Sequence, residues 1–222
     1  MVLNKVGNSM NKRWLFAAAS AIVLAGCDGG SDQDDVSLPD GRSLTLRCDT
    51  ISGGSAQTTS SVDPLCVGCA VTDADAVADD DPRSFASMDA TDSPPQQSVR
   101  IRSTAQPGIV FPAGSRVGAF VTRPPASGID AQSVVTINTY AGGVLQESGT
   151  RGASTCIADC GSLNDVTFNA GDDLPKTFLW FETDEPFDAV EIGFSAPGIH
   201  TQQPVVLKVY GLCSDGELRG VP

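Results

Sequence analysis

Beyond residue 27 no stretch of this chain sustains an apolar period of 3.6 residues for three turns; its short apolar runs break at clusters of Gly, Pro, Asp and Ser. Several runs alternate residue by residue. Val99, Ile101 and Ser103 interleave with Arg100 and Arg102, and Val135, Ile137 and Thr139 interleave with Thr136, Asn138 and Tyr140. A two-residue period sends successive side chains to opposite faces of an extended strand. The runs predict strands at 43–48, 98–103, 116–122, 133–140, 144–147, 165–168, 177–182, 189–194 and 205–211, with one helical turn at 73–78. Many short strands separated by turns build a sandwich or a barrel. The expected fold class is therefore all-β, an antiparallel β-sandwich over residues 43–222, without internal repeats.

The N-terminal region obeys a different pattern. Lys12 and Arg13 precede the apolar run WLFAAASAIVLAGC, residues 14–27. That run is too short to cross a hydrocarbon core, which takes about 20 helical residues, but it suits the apolar region of a secretory signal. Residues 1–9 add nothing to the pattern, and Met10 is the better translation start. Leu24-Ala25-Gly26-Cys27 resembles the lipobox of bacterial lipoproteins. The resemblance implies cleavage of a signal peptide at 1–26, acylation of Cys27 (palmitate among the acyl groups), and membrane lipid as a partner. Stable anchoring needs more than one acyl chain, each buried methylene contributing about 0.8 kcal/mol. Residues 27–42, rich in Asp, Gly and Ser, read as a flexible acidic tether. The implied location is the bacterial cell envelope, facing the periplasm or the cell surface, with the leaflet open.

Removing residues 1–26 takes Lys5, Lys12 and Arg13 from the 14 basic residues and nothing from the 27 acidic ones, so the remaining charge is −16. This excludes nucleic acid as a partner through any basic patch. Six cysteines follow Cys27: Cys48, Cys66, Cys69, Cys156, Cys160 and Cys213. An even number in an exported chain points to disulfides. Six cysteines allow 15 connectivities; a local Cys156–Cys160 bridge is favoured, leaving Cys213 for a cysteine of the N-terminal region. Zinc would have to rely on thiolates, because His200 is the only histidine.

Residues 76–85, AVADDDPRSF, resemble the opening motif of discoidin-like, galactose-binding-like jelly rolls. Asp79 takes the aspartate position, Ser84 the hydroxyl position and Phe85 the aromatic position. The runs at 111–121, 177–183, 187–194 and 206–213 fit the same architecture, so the resemblance spans roughly residues 44–213. It departs from the family pattern at Asp80, where glycine is usual, and at Phe85, where tryptophan is common. The family often holds a structural Ca²⁺ near this turn, which would fall here to Asp73, Asp75, Asp79 and Asp81. An irregular loop can supply the six to eight oxygens that Ca²⁺ takes. The same carboxylates, with Asp80, can instead fan into water and serve Asp-Pro turns and capping. No EF-hand spacing is present.

Catalytic patterns are missing: no GxSxG occurs, and a Ser-His-Asp triad would have to use His200 in a turn. The acidic pairs Asp172–Asp173 and Asp184–Glu185 are adjacent in sequence and lie in turns, which defines no glycosidase geometry. Aromatic residues form 6% of the chain and packing needs most of them, so no sugar site is assigned to Tyr140, Trp180, Phe181, Phe111 or Arg123. The expectation is a lipid-anchored, non-catalytic binding or adhesion module for glycan or another envelope component. A purely structural envelope lipoprotein and a secreted hydrolase are the alternatives.

Overall fold

The computed structural model describes residues 34–37, 43–51, 56–79, 81, 83–91, 97–122, 133–152, 161–168, 175–196 and 205–220; for 34–37, 43–50, 166, 168 and 215–220 it describes the backbone alone. In chain order the strands are β1 (Asp34–Ser37), β2 (Ser43–Thr50), β3 (Gln57–Val62), β4 (Ala70–Thr72), β5 (Ala86–Asp89), β6 (Val99–Thr104) and β7 (Arg116–Thr122). They continue with β8 (Val134–Ala141), β9 (Val144–Gly152), β10 (Gly161–Ser162), β11 (Asn164–Phe168), β12 (Lys176–Glu182), β13 (Ala189–Ser195) and β14 (Val206–Gly220).

Two sheets form a β-sandwich. The eight-stranded sheet runs β1-β2-β14-β7-β12-β11, and β5, carrying β4, joins β14 ahead of β2. The six-stranded sheet runs β10-β9-β8-β13-β6-β3. Every pairing is antiparallel except β9 with β10. Chain reversal between β8 and β9 is made by Gly142 and Gly143, at φ 57° and 81°; two successive positive φ values suit a tight hairpin whose twist matches its strands.

The core lies between the sheets. Ile101, Ile192 and Ile137 sit side by side across β6, β13 and β8, all fully buried. Val117, Ala119 and Val121 of β7 face them with Leu207, Val209 and Leu212 of β14. Each fully buried aliphatic side chain contributes about 1.5–3 kcal/mol, enough for a chain of this size to hold together through its core.

Each expected strand is present, with β9 and β14 running further than their apolar patterns. Five more strands, β1, β3, β4, β5 and β10, carry weaker signals. In β3 the sequence QTTSSV has one half-buried and five exposed positions; it is a strand because β6 pairs with it. β1 falls inside the stretch read as a tether and pairs with β2. The helical turn is a 3₁₀ helix, Ala74–Ala78, which buries Val77. Cys66 and Cys69 form a disulfide, and the buried Cys213 is disulfide-bonded as well. Cys27, Cys156 and Cys160 lie outside the described residues.

Candidate functional site

The two outer faces of the sandwich differ in chemistry. On the six-stranded sheet the charged side chains of β6 and β13 are all paired. Glu191, 5% exposed in the central strand β13, accepts hydrogen bonds from Arg102 Nε (3.0 Å) and Nη2 (2.7 Å) on one oxygen. Its other oxygen accepts from Asn138 Nδ2 (3.2 Å) and Tyr140 Oη (2.9 Å). Ser148 donates to Asn138 (2.7 Å), and the Arg102 guanidinium lies 3.7 Å from the centre of the Tyr140 ring. Arg100 pairs with Asp63 at 3.2 Å. A buried carboxyl group that accepts four hydrogen bonds has its acceptor sites met, so this face is a closed network.

Burial holds the Tyr140 phenol above its ordinary value of 10; the Glu191 charge and the hydrogen bond to it raise it further, against Arg102. The sign follows from linkage. A folded-state pKa above the unfolded one favours the native, protonated phenol, so this contribution to stability is complete below pH 10 and is lost as pH rises past the raised value. The chain has two tyrosines. In a spectrophotometric titration the phenolate step of Tyr140, identified by its loss in Tyr140→Phe, should move to lower pH in Glu191→Gln; an unchanged step in Glu191→Gln would contradict the network.

The outer face of the eight-stranded sheet is aromatic. In β12 one side of the strand carries Lys176, Phe178 and Trp180, while Leu179 and Phe181 of the opposite side join the core. Phe178, 1% exposed, stacks on its cross-strand partner Phe120 with centroids 4.7 Å apart. Gly118, beside them on β7, is required there. A Cβ on it would stand 2.4 Å from the Leu179 carbonyl oxygen and 2.7 Å from the Phe178 ring. Farther along, Phe85 and Tyr210 meet at 5.5 Å. Three cations lie over rings: Arg116 on Trp180 (4.9 Å), Lys176 on Tyr210 (4.4 Å) and Lys208 on Phe85 (3.9 Å). Five aromatic rings and three cations thus run across β5, β14, β7 and β12. The Trp180 Nε1 is buried without a hydrogen-bond partner, an unmet donor of the kind native proteins keep rare.

The sequence motif at 76–85 builds one end of this face. Both Asp79 carboxylate oxygens accept from the Ser84 hydroxyl (2.8 and 2.7 Å), and one also accepts the Asp81 amide (3.0 Å). Asp81 in turn accepts the Arg83 amide at 2.9 Å. These bonds close the turn and deliver Phe85, the next residue, to Tyr210 and Lys208. Asp73 adopts the left-handed conformation (φ 54°) before the 3₁₀ helix, and Asp75 is exposed in its first turn. Asp79 and Asp81 are thus engaged in turn hydrogen bonds. Among the described residues no group of three or more His, Cys, Asp or Glu side chains is gathered to hold a metal; Asp80 is outside them.

The remaining sequence candidates scatter. Phe111 stacks on Phe187 (5.1 Å) in a loop contact, and Tyr140 belongs to the opposite face. The backbone amides of Asp184 and Glu185 are both held by Glu147, at 2.9 to 3.2 Å. Arg123, Asp172, Asp173 and His200 lie outside the described residues. The alternation in KTFLWFE is apolar on both sides, which conceals the outward-facing set; the cations at Lys176 and Lys208, on the same side as aromatics, are the signal that distinguishes it. No family model, curated protein or solved structure matches the chain.

Proposed function

We propose that the protein is an exported, lipid-anchored, non-catalytic module that binds glycan chains on the outer face of its eight-stranded sheet. The observation that carries this reading is the strip of partly exposed rings, Phe85, Tyr210, Phe120 and Trp180, over the buried Phe178. Aromatic side chains supply broad, rigid contact area at small entropic cost. Sugar rings present C–H faces that pack on such surfaces, while their hydroxyls meet neighbouring N–H groups. The four rings are partly exposed and lie outside the core between the sheets, and apolar surface gathered in this way suits a ligand. Export is supported by the signal-like leader and by the disulfide chemistry at Cys66–Cys69 and Cys213, which belongs to oxidising compartments. Cys27, following Leu24-Ala25-Gly26, is the proposed acyl attachment point.

A glycan array tests the reading. The purified protein should be retained on a subset of polysaccharides, and Trp180→Ala should abolish retention. Tyr140→Phe, on the opposite face, should leave it intact. Retention that survives Trp180→Ala would remove this face from the account.

A further inference from the structure

Resting on the glycan-binding reading, we infer that the ligand is an acidic polysaccharide, recognised through Arg116 and Lys208 at separated points of the aromatic strip. Among the described residues Arg100 pairs with Asp63, Arg102 with Glu191 and Arg151 with Asp165. Arg116 and Lys208 differ. Each has an aromatic ring as its partner, and neither forms an ion pair with a described carboxylate. Glu182 is the cross-strand register partner of Arg116 but is exposed and makes no ion pair with it. Asp89, near Lys208 on β5, is taken by the amide and hydroxyl of Thr91 at 2.9 and 2.6 Å. In a chain of net charge −13, two cations without carboxylates on one face complement a negative ligand.

The chemistry favours carboxylate or sulfate groups. The Arg116 guanidinium makes no hydrogen bond within the described protein, so its edge can grip a planar anion through two parallel N–H donors. Lys208 adds a compact point charge. Spacing sets the ligand's size. Lys208 is level with Thr122 on β7, and Arg116 begins that strand, so the two cations are separated by roughly 20 Å along it. One sugar cannot reach both; a chain of several acidic sugars lying along the rings can.

Titration calorimetry of the full processed chain with a polyuronate and with a neutral β-glucan of matched length provides the test. The polyuronate should bind more than tenfold tighter, with affinity falling as salt is raised. Arg116→Gln and Lys208→Gln should each weaken polyuronate binding by about tenfold, the scale of one charge-assisted contact. Arg151→Gln, which removes the same charge elsewhere, should not. Thermal unfolding of each variant coinciding with wild type shows that the fold is kept. Equal affinity for the two polymers, or equal weakening by Arg151→Gln, overturns the acidic specificity while glycan binding stands. Binding of neither polymer, together with an empty array, overturns the glycan reading itself.

Discussion

Glu191→Ala should lower the unfolding free energy by about 3 kcal/mol, the largest effect expected of any single charge in this protein. The Glu191 side chain is 6% exposed and receives four hydrogen bonds. Its removal strips the half-buried Arg102 of its counter-ion and leaves Asn138 and Tyr140 each short of an acceptor. Unpaired polar groups at such a site cost far more than the pair itself contributes. The other ion pairs set the contrast. Arg151–Asp165, with side chains 45% and 36% exposed, should contribute no more than about 1 kcal/mol. In urea denaturation the midpoint of Glu191→Ala should fall with an unchanged slope. A loss below about 1 kcal/mol would mean that water satisfies these groups already.

Phe178→Ala should destabilise the fold by about 3 kcal/mol or more, through lost transfer energy and the cavity left behind. This ring is buried although it lies outside the main core, because Phe120 stacks on it and Gly118 lies flat beside it. Removing it exposes the β7 backbone at Gly118 and unseats Phe120. Trp180→Ala, at a half-buried ring, should destabilise by clearly less. The difference separates folding from binding: Phe178 supports the strip, and Trp180 presents it. If Phe178→Ala unfolded at wild-type denaturant, the aromatic layer would have to be loosely attached.

The sheet architecture was legible wherever one face of a strand is apolar and the other polar, as in Val99 to Ser103 or Val135 to Tyr140. It was not legible in β3, where five of six residues are polar, only Val62 is apolar, and the strand is held by β6. The site was harder still. In β12 apolar residues occupy both faces, and a period of two cannot say which set faces water. Glu191 reads locally as one polar break in AVEIGF; its partner Arg102 is 89 residues away, beyond the reach of any local pattern. Asp79, Ser84 and Phe85 stood out as a unit only through the resemblance of residues 76–85 to a jelly-roll opening motif, and the turn that joins them is local. Asp73 and Asp75 of the same acidic stretch stand at the start of the 3₁₀ helix, Asp73 without a side-chain cap.

From Cys27 onward the chain contains one tryptophan, Trp180, so its fluorescence reports on the proposed surface alone. Titrating the processed protein with a polysaccharide retained on the array should give a saturable shift in emission. The half-saturation point should coincide with the calorimetric affinity. A retained polysaccharide that leaves the Trp180 emission unchanged at saturation would contradict the assignment of binding to this face.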